Sequence, residues 1–142
     1  MHAHTRLGAL VLTIMFVTAA GAAPGDVTGP ARRSAIAWLN EPTLIGRTIV
    51  EGPVLFVHDE GTMARGEPCT TIRLFDPKKG PGEVLVSFRC IPRSRRPVTK
   101  FTITTVPNVE LGFGCILTEY QFPADTEGHG VPAFDPIPAG VQ

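Results

Sequence analysis

The chain has 142 residues, 13 Lys or Arg against 13 Asp or Glu, and 43% hydrophobic residues. A chain of this size makes one domain and can hold a single core without a metal or many disulfides. Its composition lacks the marks of a nucleic-acid binder: basic stretches are not interleaved with aromatics for base stacking.

The first residues, MHAHTRLGALVLTIMFVTAAGAAPGD, place Arg6 before an uncharged run from Leu7 to Ala20. Ala20 and Ala22 stand at the −3 and −1 positions of an A-x-A cleavage site. A positive start, an apolar middle and a small-residue exit describe a signal peptide over residues 1–22. The run falls short of the roughly 18–20 residues that span a bilayer. Cleavage after Ala22 gives an exported protein, secreted or periplasmic. No second apolar run is long enough to cross, so the mature protein is expected not to span a membrane.

Residues 23–42 read as a flexible lead-in. APGDVTGPARR is rich in Pro and Gly, and SAIAWLNEP suits one short helical turn capped by Ser34 and ended by Pro42. Trp38, the only Trp, is expected to anchor this segment on the domain.

Residues 43–122 read as β structure. Strands are expected at 44–50, 53–58, 70–75, 83–90, 99–105 and 113–122, each rich in β-branched or aromatic residues and bounded by Gly, Pro, Asn or Asp. In the fourth, Val84, Val86, Phe88 and Cys90 alternate with Leu85, Ser87 and Arg89. The fold class is therefore all-β, a small antiparallel barrel or two-sheet sandwich of about six short strands. Residues 123–142 carry Pro123, Pro132, Pro136 and Pro138 and read as an extended tail.

Cys69, Cys90 and Cys115 all follow the cleavage site, in a compartment that favours disulfides. A turn about Lys79–Gly80 sets Cys69 opposite Cys90, within disulfide range. Matching Ile72 with Phe88 and Leu74 with Val86 shifts that register by one and sets the two Cys on opposite faces, so either a bulge near Thr70 absorbs the difference or the bridge does not form. Cys69–Cys90 is the expected disulfide, with Cys115 a buried, unpaired thiol among apolar neighbours.

Three functions remain open. The first is a non-catalytic binding or interaction module that meets an anionic surface or protein through RCIPRSRRPVTK. There Arg89, Arg93, Arg95, Arg96 and Lys100 form a basic run that suits phosphate, sulfate or carboxylate groups. More broadly, residues 65–100 carry nine Lys or Arg against Glu67, Asp76 and Glu83, while residues 101–142 carry five acids and no Lys or Arg. That asymmetry marks either a binding face or two parts that meet in the fold. The second function is a small exported metal-binding or redox protein using His58, Cys69 and His129, with Met63 completing a blue-copper ligand list. The third is a protease inhibitor presenting loop 91–97. Catalysis has little support. Ser34, Ser87 and Ser94 lie outside any G-x-S-x-G context, no zinc-type C-x-x-C pair occurs, and no phosphate loop or dinucleotide fingerprint is present. No cofactor is expected.

Overall fold

A computed structural model describes residues 31–133. The expected signal peptide, the start of the lead-in and the end of the tail lie outside the described residues. The described chain is mostly β and forms one mixed, eight-stranded sheet. Its strands are β1 (Arg32–Ile45), β2 (Thr48–Asp59), β3 (Thr70–Asp76), β4 (Gly80–Phe88), β5 (Ile91–Ser94), β6 (Thr102–Pro107), β7 (Cys115–Gln121) and β8 (Glu127–Gly130), with one short helix, α1 (Glu60–Ala64). They run in the order β4-β3-β2-β1-β7-β8-β5, and β6 pairs with β7. No helix among the described residues is long and apolar enough to cross a membrane.

Several local expectations are corrected. The segment expected as lead-in and helical turn is the body of β1, paired with β2 from Arg32↔Asp59 to Leu39↔Gly52. Alternation explains this: Ala37, Leu39, Thr43 and Ile45 are buried, and a strand's period of two serves them where a helix's 3.6 does not. Trp38 falls on the opposite face and is 60% exposed, so it does not anchor the segment. The run 44–50 spans the β1–β2 hairpin, which turns at Gly46 with φ +64°. Residues 91–94, expected as part of an arginine-rich loop, form β5 against β8. β8 itself lies within the expected tail. The sheet is not wholly antiparallel, because Thr43↔Cys115 and Leu44↔Ile116 join β1 to β7 in parallel.

The β3–β4 register follows neither expected pairing. Thr70 faces Phe88 and Ile72 faces Val86, and irregularities on both sides of Arg73 carry the hairpin to Asp76↔Gly80. The Asp76 carboxylate accepts from the Lys78 and Lys79 amides, closing that turn. Between these irregularities Val84, opposite Arg73, is 51% exposed, while Phe88 and Cys90, expected on the same face, are buried. A further irregularity lies in the β6–β7 pairing between Thr104 and Thr105. It changes the parity of β7, so that Cys115 and Leu117 are buried near its start and Tyr120 near its end.

The core gathers Val54, Phe56, Ile72, Leu117, Tyr120 and Phe122. Phe56 lies 5.1 Å from Phe101 and 5.2 Å from Tyr120, in tilted ring packing. The polar cluster described next adjoins this aromatic group.

Candidate functional site: a buried thiol and imidazole cluster

Four segments distant in sequence deliver the site. His58 is the penultimate residue of β2, and the same alternation that buries Val54 and Phe56 carries it inward. Asp59 ends the strand by capping α1, accepting from the amides of Gly61 and Thr62. Cys69 precedes β3, and its carbonyl accepts the Asp59 amide at 2.9 Å, which clamps the loop 59–69 shut. Cys90 follows β4. His129 lies in β8 between Gly128 and Gly130 and opposite Tyr120 of β7.

His58, Cys69, Cys90 and His129 are all buried. Ligand atoms of His58, Cys69 and Cys90 lie within 4.8 Å of one another. The Cys90 sulfur is 2.7 Å from that of Cys69, 3.9 Å from His58 Nδ1 and 3.7 Å from His129 Nδ1. The two imidazoles face each other with centroids 4.2 Å apart, and His129 stacks on Tyr120 at 4.9 Å. A chain of hydroxyls supports them: Thr70 Oγ1 is 2.5 Å from the Tyr120 oxygen, which is 3.3 Å from His58 Nδ1. On the other side of His129, Asp125 Oδ2 approaches Nε2 at 3.6 Å, and Arg33 holds that carboxylate.

Burial sets the charge of the cluster. It lowers the pKa of His58, and with the neighbouring His58 it brings His129 down to about 4. Burial and then the neighbouring Cys69 push the Cys90 thiol up, and burial raises the Tyr120 phenol. Each shift favours the neutral form. The Nε2 atoms of His58 and His129 are buried without a hydrogen-bond partner. Such atoms are uncommon in a folded interior and call for an explanation.

Of the residues singled out from sequence, His58 and Cys69 meet with Cys90, and His129 stands against His58 and the Cys90 sulfur. Met63 packs instead against the apolar core. The expected disulfide partners stand sulfur to sulfur as thiols. Cys115 is a buried thiol 3.3 Å from Thr43 Oγ1. The basic run is divided. Arg95 makes a two-pronged contact with Glu119 at 2.7 Å through each nitrogen, and Arg93 adds a third at 3.5 Å. Two cations of the run thus share one carboxylate within the fold, from the acidic part of the chain. Arg89, Arg96 and Lys100 are exposed.

Sequence reasoning missed Cys90 and Tyr120 as members of this group. Cys90 carried the signal of a disulfide partner, and its place beside two imidazoles follows from where β4 ends. Tyr120 carried no signal beyond an apolar strand. Comparison with protein-family models, curated proteins and solved structures finds no match to this chain.

Proposed function

We propose that this chain is an exported β domain that holds a divalent, thiophilic metal ion of the zinc class in its buried cluster. Cys69, Cys90 and His58 are the ligands, and His129 is a fourth ligand or the support behind them. The observation that carries the reading is the meeting of His58, Cys69 and Cys90 within 4.8 Å, all buried, with the Nδ1 atoms of His58 and His129 turned toward the Cys90 sulfur.

Charge balance supports a divalent ion. Both thiols must deprotonate to bind, so the ion replaces two protons and the buried group stays neutral, as a low-dielectric interior requires. Two sulfurs with one or two imidazole nitrogens suit tetrahedral zinc. Zinc–ligand bonds of about 2.0–2.3 Å imply sulfur–nitrogen separations of about 3.5 Å and a sulfur–sulfur separation of about 3.7 Å. The observed 3.7 and 3.9 Å sulfur–nitrogen spacings match. The 2.7 Å between the sulfurs must open by about 1 Å on loading. A closed set of protein ligands fits holding an ion rather than activating water on it.

The short sulfur–sulfur approach favours a second reading, in which Cys69 and Cys90 close as a structural disulfide. One experiment separates the two. Protein recovered from the exporting host is weighed by native and by denaturing, non-reducing mass spectrometry. The metal reading expects a zinc-sized increment of one per chain that vanishes on denaturation, leaving a fully reduced mass. Cys90→Ser should abolish it and Cys115→Ser should not. A chain two hydrogens light with no increment would establish the disulfide instead.

A further inference from the structure

Cys69 belongs to two places at once. Besides meeting Cys90, it lines a surface cleft of about 320 Å³ on the outer side of β2 and β3. Arg32 and Arg73 flank this cleft, and Thr62, Pro68 and Thr71 complete much of its wall. The one acid in the lining, Asp59, has its carboxylate engaged by the Gly61 and Thr62 amides. The cleft is therefore cationic, and Cys69, 3% exposed, is part of its lining. Cys90 does not line it, and its sulfur lies among the imidazoles behind.

We infer that this cleft admits an anionic small-molecule disulfide, of the class of oxidised glutathione, which oxidises Cys69 and Cys90 to a disulfide. In the first step the Cys69 sulfur attacks one sulfur of R–S–S–R. That bond breaks, a Cys69–S–S–R bond forms, and the leaving RS⁻ takes the Cys69 proton. In the second step the Cys90 sulfur attacks the Cys69 sulfur across the 2.7 Å gap, and the second RS⁻ leaves with the Cys90 proton. Two protein thiols lose two electrons and two protons, and the external disulfide becomes two thiols. The two carboxylate-bearing arms of such a reagent meet Arg32 and Arg73, whose guanidinium groups suit carboxylates.

This exchange stands on the thiol pair and the cleft and does not require a bound ion. Where an ion is present, the two states exclude each other: thiolates that bridge a metal need about 3.7 Å between sulfurs, and a disulfide needs about 2.0 Å. Oxidation then releases the ion.

The test uses the metal-free, reduced full chain carrying Cys115→Ser, reacted at low salt with oxidised glutathione or with cationic cystamine. Each rate is divided by that of the same reagent with an unstructured cysteine peptide. Oxidised glutathione should be favoured by about fivefold, the size of one weakly screened charge contact, and the product should be two hydrogens light. In the Cys90→Ser variant a mixed disulfide should accumulate on Cys69. Arg32→Glu, at an exposed residue whose loss leaves the core untouched, should bring the two reagents level or reverse their order. Equal rates with the unchanged protein, an adduct on Cys90, or indifference to Arg32→Glu would each overturn the inference. A zinc-loaded sample that releases one ion per disulfide formed adds the coupling; oxidation with the ion retained removes that coupling. Failure of zinc to bind at all counts against the metal reading and leaves the exchange standing.

Discussion

Glu119 shows how a single residue decides which charges are available for function. Its side chain is 10% exposed while that of Arg95 is 44% exposed, so a nearly buried carboxylate depends on half-exposed partners. The Arg95 hydrogen bonds hold its pKa below the usual carboxylate range, against an opposing push from burial. An unfolded Glu titrates near 4.3. The pair therefore contributes its full stability above that pH and loses it as the pH falls further, through the lowered native value. Glu119→Gln should cost about 2 kcal/mol at pH 7, below the 3–5 typical of a fully buried broken pair because water reaches Arg95. It should also lose less stability than the unchanged protein between pH 5 and pH 3, where only the carboxylate gains a proton. Urea unfolding at both pH values checks this; parallel losses would show that the pair contributes nothing.

At the scale of elements, β8 does two jobs through its Gly-His-Gly alternation. His129 points into the cluster, and the flanking glycines clear the opposite face. A methyl group at Gly128 would collide with the Glu119 carboxylate and Arg95 Cγ, and one at Gly130 would press on Arg93 Nε. Gly128→Ala should therefore break the ion pair and cost about 2–3 kcal/mol, more than the few tenths of an ordinary surface change. Thermal unfolding measures it, and a cost under 0.5 kcal/mol would show that the strand shifts freely. The same strand illustrates the reach of sequence reasoning. TEGHG stands among prolines and has no apolar alternation of its own, so nothing local marks it as a strand. It becomes one because β7 and β5 offer hydrogen bonds on both of its sides.

At the scale of the molecule, the cluster ties the β2–β3–β4 meander to the β7–β8 pair. A bound ion would therefore act as a cross-link over the whole fold. At a zinc concentration 100 times the dissociation constant the native state gains about 2.7 kcal/mol. For a domain of this size that raises Tm by about 10 °C. Scanning calorimetry with and without a chelator should show that shift, and Cys69→Ser should erase it. A shift that survives in Cys69→Ser would place the ion outside the cluster.

Reading the chain alone determined the β class and the strands at 53–58, 70–75, 83–90 and 113–122 to within a few residues. Those properties follow from local chemistry: β-branched and aromatic runs, alternation, and turns built on Gly, Pro and Asp. The same reading drew up His58, Cys69 and His129 as one ligand list. Tertiary structure grouped His58 and Cys69 with Cys90, set His129 against His58 and the Cys90 sulfur, and added Tyr120. It also decided that SAIAWLNEP extends as a strand, that Trp38 faces outward, and that Arg93 and Arg95 turn to Glu119. Each of these depends on pairing between distant segments. In β7 the bulge opposite Thr104 and Thr105 sets Tyr120 inward, and past the Thr70↔Phe88 pair the ends of β3 and β4 bring the Cys69 and Cys90 sulfurs together. A shift of one residue at either place would turn those side chains to the opposite face, and no spacing within a single segment records which register the sheet adopts.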